Sequence, residues 1–374
     1  MTTVEDEKQQ KKNLKQPTFW LALLAGLLFF LVIYFRSNIF PNKSSTELPV
    51  EVKSVILTPT PTPRPTLDIS AYDAKILLNA NNPKTATTTT STKPTLPVTR
   101  SLGEGGWPVK TVYPNADALL PFNRIVAYYG NLYSKNMGVL GQYPENVMLD
   151  KLNQEVLKWQ QADPSTPVIP ALHYIAEVAQ AGGGADGKYR SRMPDSEIDK
   201  VIEMAKKDNA LVFLDIQVGL SNVKDELPTF DKYLKMDNVH LGIDPEFYMK
   251  DGAHPGREIG TMDADDINYT ANYLAKIVRD NNQTTKILVI HRFTKPMVTS
   301  YKNITPLPEV QIVMDMDGFG SQASKKSTYY EYIYKEPVQF TGFKLFYKND
   351  IVNSSILTPK DLLKLTLICR GRKS

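Results

Sequence analysis

A chain of 374 residues with 42% apolar and 22% charged side chains has the make-up of a globular protein. It has room for one barrel-sized domain of about 250 residues and an appendage. The net charge of +4 gathers at the two ends, in Lys8, Lys11, Lys12 and Lys15 and in Arg370, Arg372 and Lys373. No basic stripe interleaved with aromatics runs through the body of the chain, which argues against nucleic acid as a partner. Cys369 is the only cysteine, so an internal disulfide framework and a cysteine-ligated zinc site are both excluded.

From Thr18 to Phe35 the sequence TFWLALLAGLLFFLVIYF carries no charge over roughly the length that crosses a bilayer. Four lysines precede it and only Arg36 and Lys43 follow closely, so the positive-inside bias puts the N-terminus in the cytoplasm. RSNIFPNKSS after Phe35 lacks the small-residue cleavage pattern of a signal peptide, and no cysteine follows to carry a lipid. The expectation is a basic tail over 1–17, a transmembrane helix over 18–36 in contact with the lipid bilayer, and a single-pass type II protein of the cell membrane. A Pro/Thr-rich extracytoplasmic stalk is expected over 37–104, carrying LTPTPTPRPT and KTATTTTSTKPTLPVT. Alternating Thr-Pro is an extended spacer, and a threonine run has no apolar face to bury. LDISAYDAKILLNANN between them has the pattern of a short helix or strand.

The folded domain is expected over 105–374. Short β-branched runs start near 125, 168, 211, 239, 287, 310 and 342: IVAYYG, PVIPALHYIA, ALVFLDIQVG, VHLGIDPEFY, KILVIHRF, VQIVMDMDGFG and GFKLFYK. Helical patches fall between several of them, at Glu145 to Gln161, Ser196 to Asn209, Ala264 to Asn282 and Thr358 to Leu365. In the first patch Val147, Leu149, Leu152, Val156, Leu157 and Trp159 predict one buried stripe. Asp195 and Ser196 supply capping oxygens for the next patch, and Asp263 or Asp265 can do the same for the one after. Near-continuous apolar strands alternating with helices predict a parallel sheet covered on both faces. The fold class is therefore α/β, a (β/α)8 TIM-barrel-like ectodomain with an imperfect closing strand, for which LTLIC (Leu365 to Cys369) is the late candidate. An open doubly wound sheet is the alternative, disfavoured because no Gly-rich phosphate loop follows the first strand.

The strand ends carry the chemistry. His173, Asp215, Gln217, Asp244, Glu246, His291, Arg292, Asp315, Asp317 and Lys344 all sit where barrel enzymes place their sites. In GIDPEFY, a continued strand would put Asp244 and Glu246 on one face, where two like charges raise one pKa and leave an acid near neutral pH. Asp215 with Gln217, and Asp315 with Asp317, repeat that spacing. Unpaired carboxylates in an apolar core cost several kcal/mol, so the pattern reads as an acidic cleft or as a network neutralised by His173, Arg292 and Lys344. Tyr128, Tyr129 and the aromatics near the later strand ends suit the apolar faces of sugar rings. The loops AQAGGGADGKYRSRMP and YMKDGAHPGREIGTMD both follow strands and are positioned to build specificity.

GIDPEFY, the YYG of the first strand and MDMDGFG of the sixth together resemble the barrel domains of secreted glycoside hydrolases, including the chitinase-like group. There a D-x-E ends the fourth strand and an Asp-bearing aromatic segment ends the sixth. The resemblance implies Glu246 as the acid, Asp244 as the partner that orients a substrate acetamido group, and Asp315 or Asp317 in the sugar cleft. This chain departs from the pattern in its shorter acidic approach, VHLGIDPE, with proline between the acids.

The expectation is a membrane-anchored glycoside hydrolase acting on a cell-envelope or extracellular glycan. Its catalytic set is Glu246, Asp244, Asp215 and Asp315. Its substrate-binding set is Tyr128, His173, Gln217, His291, Arg292, Asp317 and Lys344. No cofactor and no metal is expected. Two other classes stay open: a non-catalytic glycan- or partner-binding envelope protein, and a metal- or His-dependent phosphoester hydrolase using His173 and His291.

Overall fold

The computed structural model describes residues 66–80, 107–109, 111–352, 354–365 and 368–373. The basic tail, the apolar span at 18–36 and most of the spacer lie outside these residues. Among the described residues no helix is long and apolar enough to cross a membrane.

Eight parallel strands form the ring of the sheet, and a short ninth strand, Arg190–Arg192, adds antiparallel to the end of the second. The eight are β1 (Arg124–Gly130), β2 (Val168–Ala179), β3 (Leu211–Ile216), β4 (Val239–Ile243), β5 (Lys286–Arg292), β6 (Val310–Met316), β7 (Phe340–Leu345) and β8 (Ile368–Lys373). Each pairs with the next, and β8 pairs back onto β1, with Ile125 beside Arg370. The ring is closed, which removes the unpaired edges of an open sheet. The doubly wound alternative is thereby overturned. The eighth strand overlaps the expected LTLIC run only at Ile368 and Cys369 and continues into the basic end of the chain.

Five helices of eight residues or more are described: α1 (Ile69–Asn79), α2 (Glu145–Ala162), α3 (Asp195–Lys207), α4 (Ala264–Asn281) and α5 (Gln322–Tyr329). The buried stripe of α2 is Met148, Leu149, Leu152, Glu155 and Trp159, whereas Val147 and Leu157 are exposed. Positions 148, 152, 155 and 159 keep strict helical spacing, and that regularity outweighs the count of apolar residues on the expected face. Asp263 caps α4 in a capping box with Asp266. For α3 the cap position is Pro194 and makes no side-chain bond; Asp195 instead lies in the first turn, where its charge suits the helix dipole. The β5–β6 connection carries a two-residue strand, Val298–Thr299, and a short 3-10 turn at Tyr301–Asn303 in place of a helix, so this crossover departs from the regular alternation.

The core has two layers. One lies between the ring and its helices. The other fills the ring itself with Ile125, Ala127, Ala171, Phe213, Ile287, Val289, Val313 and Phe340. Tyr72 and Ile76 of α1 join this inner cluster together with Trp107 and Leu120. Gln311 on β6 exchanges two hydrogen bonds with the Leu120 backbone, at 2.7 and 3.0 Å. Helix α1, which lies in the segment read as spacer, therefore packs onto the barrel.

Candidate active site

Inward-facing positions recur every second residue along a barrel strand. Above the apolar filling this period brings up Tyr129 on β1, His173 on β2, Asp215 on β3, His291 on β5 and Asp315 on β6. At the same level β4 and β7 supply glycines. A Cβ on Gly242 would lie 2.5 Å from both Asp215 Oδ1 and His173 Nε2, and one on Gly342 would collide with the Asp315 carboxylate. The missing side chains are therefore the space in which the ionisable groups sit.

Within that space His291 lies among three carboxylates. Its Nε2 is 3.2 Å from Asp215 Oδ2, and its Nδ1 is 2.7 Å from Asp317 Oδ2 and 3.9 Å from Asp315 Oδ2. His173 Nε2 approaches Asp215 Oδ2 at 3.4 Å, and its ring stacks on Phe213. Lys344 Nζ lies 2.7 Å from Asp317 Oδ1 and 4.0 Å from the centre of the Tyr129 ring. All of these side chains are buried. Burial alone would raise the Asp215 carboxyl, but His291 and His173 beside it hold it well below the usual carboxylate range.

Asp244 and Glu246 lie beyond β4, which ends at Ile243. The expected strand pair is instead a turn: Pro245–Phe247 forms a 3-10 helix, and Asp244 Oδ1 caps it by accepting the Glu246 N–H at 3.1 Å. Asp244 Oδ2 accepts from Gln217 Nε2 at 3.3 Å, and Gln217 Oε1 accepts the Ala179 N–H at 3.1 Å. Proline at the first turn position fixes φ for this geometry. The electrostatic consequence expected of a strand pair survives in the turn. Burial pushes the Asp244 carboxyl up to about 6, with Asp317 and Asp215 adding to it and His291 opposing. Burial also pushes half-buried Glu246 up to about 7, and Asp244 and Asp317 add to the effect.

The structure brings together His173, Asp215, Gln217, Asp244, His291, Asp315, Asp317 and Lys344, with Glu246 at their edge. It does not bring Tyr128 or Arg292 to them. Tyr128 points into the outer layer, where its hydroxyl lies 3.3 Å from that of Tyr347. Its neighbour Tyr129 takes the inward position by the same period of two. Arg292 also points outward, paired with Glu336 at 2.5 Å and donating to the Thr294, Lys295, Val298 and Tyr332 carbonyls. It holds loops in place and takes no part in neutralising the inner carboxylates.

Sequence reasoning missed two features near the mouth. At the end of β2, buried Glu177 and Glu226 face each other between Arg190 and Arg192, with Arg190 Nε 3.0 Å from Glu226 Oε1 and Arg192 Nε 3.3 Å from Glu177 Oε2. Burial, with Glu226 adding, pushes the Glu177 carboxyl up to about 9. The second is a cleft of about 230 Å³ that reaches down to Tyr129 and Lys344. Its outer residues come from the loops after β1 and β7, whose sequences carry no motif that announces a cleft.

Two buried sets place three possible metal-donor atoms each within 4.8 Å: His173, Asp215 and His291, and Asp244, His291 and Asp317. The Lys344 ammonium already neutralises Asp317, which weighs against a divalent ion in the second set. The first set has two imidazoles and one carboxylate, a donor chemistry that suits zinc or manganese.

The fold and this arrangement define a (β/α)8-type barrel with a buried, ionisable site at the C-terminal mouth of its strands. No family model matches the chain, and no curated protein matches it. Among solved structures it is similar to the crystal structure of a ruminal GH26 endo-beta-1,4-mannanase, with a TM-score of 0.34 and 10% identity. The match covers 73% of this chain and 66% of that one, so the chain spans a little under two thirds of that protein's length. The barrel assignment rests on the strand pairing described above.

Proposed function

We propose that this barrel hydrolyses glycosidic bonds, with Glu246 as the general acid. The observation that carries the reading is the turn after β4. Asp244 is fixed by the Glu246 N–H and by Gln217, while the Glu246 side chain stays partly open at the mouth. A carboxylic acid that keeps its proton near neutral pH beside a second carboxylate is what protonation of a leaving sugar oxygen requires. In this reading Asp244 orients a reacting substrate group. Asp215 and Asp315, both fully buried, act through His291 as positioning residues. The apolar span at 18–36 would anchor the domain outside the cell membrane, and the substrate would be an envelope or extracellular glycan.

Reducing-sugar release from peptidoglycan, chitin and β-glucans by the full-length protein tests the reading, with Glu246→Gln as the control. The expected result is turnover in the wild type and a loss of about 10²–10⁴-fold in a folded variant. Release that persists unchanged in Glu246→Gln would remove Glu246 from the mechanism. Absence of release from every glycan by well-folded wild type would favour the binding-protein alternative.

The His173–Asp215–His291 set supports a second reading, a metal-dependent phosphoester hydrolase. A rise in melting temperature when zinc or manganese is added to chelator-treated protein, lost in His173→Ala, would favour it.

A further inference from the structure

We infer that the cleft at the β1 and β7 side of the mouth binds an anionic group, carboxylate or phosphate, carried by the glycan. The inference rests on the glycosidase reading for the nature of the ligand, and it names the substrate class. Lys135, Lys344 and Lys348 line the cleft together with Asn136, Gln142 and Asn349, and no carboxylate does. Among the described residues neither Lys135 nor Lys348 enters an ion pair, and both line the cleft. Lys344 is neutralised from the barrel side by Asp317, and it joins this cleft to His291 and the inner site. A concave surface lined by one sign of charge concentrates ligands of the other sign. Amide donors beside the ammoniums would complete the hydrogen bonding of an oxyanion.

Both loops that carry these two lysines are built in place. On the β1 side, Asn131 donates to the Ile175 carbonyl at 2.9 Å and accepts the Tyr133 N–H at 2.9 Å. Gly138 and Gly141 pack so closely on the Tyr129 and Asn131 carbonyls that neither position has room for a Cβ. On the β7 side, buried Asp350 accepts from the Phe346 N–H at 2.8 Å and the Gly320 N–H at 3.0 Å, and it pairs with Lys325 at 2.9 Å. Two exposed cations are therefore held across a cleft by buried anchors. In the ring of strands β1 and β7 lie across from β4, so a glycan laid over the mouth would offer a linkage to Glu246 and a charged substituent to Lys135 and Lys348.

The test is NMR of the full-length protein in detergent with its lysines reductively ¹³C-dimethylated, which keeps their charge. Glucuronate, inorganic phosphate and glucose are titrated in turn, with exposed Lys206 as the reference signal. Saturable shifts of the Lys135 and Lys348 signals are expected with glucuronate, phosphate or both, and none with glucose. In Lys135→Gln the Lys348 shift should be lost or need several-fold more anion. A response to glucuronate alone identifies a uronate-type group, and a response to phosphate alone a phosphorylated glycan. Shifts that stay linear and match those of Lys206 with both anions overturn the inference. Because no turnover is read, a negative result here leaves the role of Glu246 standing, and an inactive Glu246 leaves this result standing.

Discussion

The Nδ1 of His291 lies 2.7 Å from the Oδ2 of Asp317, and both side chains are buried. The other ring nitrogen faces Asp215 at 3.2 Å, so one imidazole holds two carboxylates apart in a water-poor space. Breaking a buried charge pair by removing one partner is costly because the other is left without compensation. His291→Ala is therefore expected to lose about 3–5 kcal/mol of stability in urea unfolding. A loss under about 1 kcal/mol would show that the carboxylates are neutralised by other groups.

Asp244 and Glu246 give a prediction about titration that needs no substrate. Glu246 is held up to about 7 by burial first and by the Asp244 charge next. Asp244→Asn removes a negative neighbour, so the Glu246 pKa should fall. The ¹³C shift of the Glu246 carboxyl reports this directly. If the variant turns over, the alkaline limb of kcat/KM should move to lower pH with it, because the protonated acid is lost sooner as pH rises. An unmoved Glu246 titration would mean that the two groups do not interact.

Much of this architecture was legible in the chain. Runs such as KILVIHR and VQIVMDM are buried on both faces, and only a covered parallel sheet makes an unbroken apolar run stable. Period two also carried His173, Asp215, His291 and Asp315 to one tier, because alternation survives the curvature of a barrel. It failed at strand ends. Asp244–Pro245–Glu246 reads as a strand pair until a capping bond turns the chain, and proline at the first turn position was the available signal. Tyr128 and Tyr129 are adjacent, so one inward place had to be given to one of them, and only strand register decides which. The basic cleft was beyond reach, because Lys135 and Lys348 join Lys344 there from loops more than 200 residues apart in sequence.

Glu177 and Glu226 lie in one buried cluster but should respond oppositely to neutralisation. Burial raises Glu177 to about 9, while Glu226, against the same burial, is held below its ordinary value by bonds from Glu177, Arg192 and Arg190. The unfolded chain releases the Glu177 proton near pH 4 and the folded chain near 9. Between those values the folded state holds the extra proton, and its stability falls as pH rises. Glu177→Gln, already neutral, should match the wild type within about 1 kcal/mol near pH 4 and gain on it progressively toward pH 9. Glu226→Gln should cost about 3–5 kcal/mol at neutral pH, because it leaves Arg190 and Arg192 undercompensated. Equal effects of the two variants on unfolding across that range would refute the assignment of the shared proton to Glu177.

The glycine on β4 offers a test of how tightly the inner tier is packed. A Cβ at Gly242 would stand 2.5 Å from both His173 Nε2 and Asp215 Oδ1, and neither group is free to withdraw. His173 stacks on Phe213, and Asp215 is also held by His291 at 3.2 Å. Inserting one methyl group into such a site forces side chains from their rotamers at a cost of about 1–3 kcal/mol. Gly242→Ala should thus lower the melting temperature of the barrel, and it should also disturb the His173 and His291 ring signals in NMR. Ala at Gly187 is the contrast, since a Cβ there meets nothing within 4 Å and its cost comes only from the positive φ of 70°. If Gly242→Ala leaves both melting temperature and imidazole signals unchanged, the histidine–aspartate tier has slack, and glycine at this strand position is not what makes room for it.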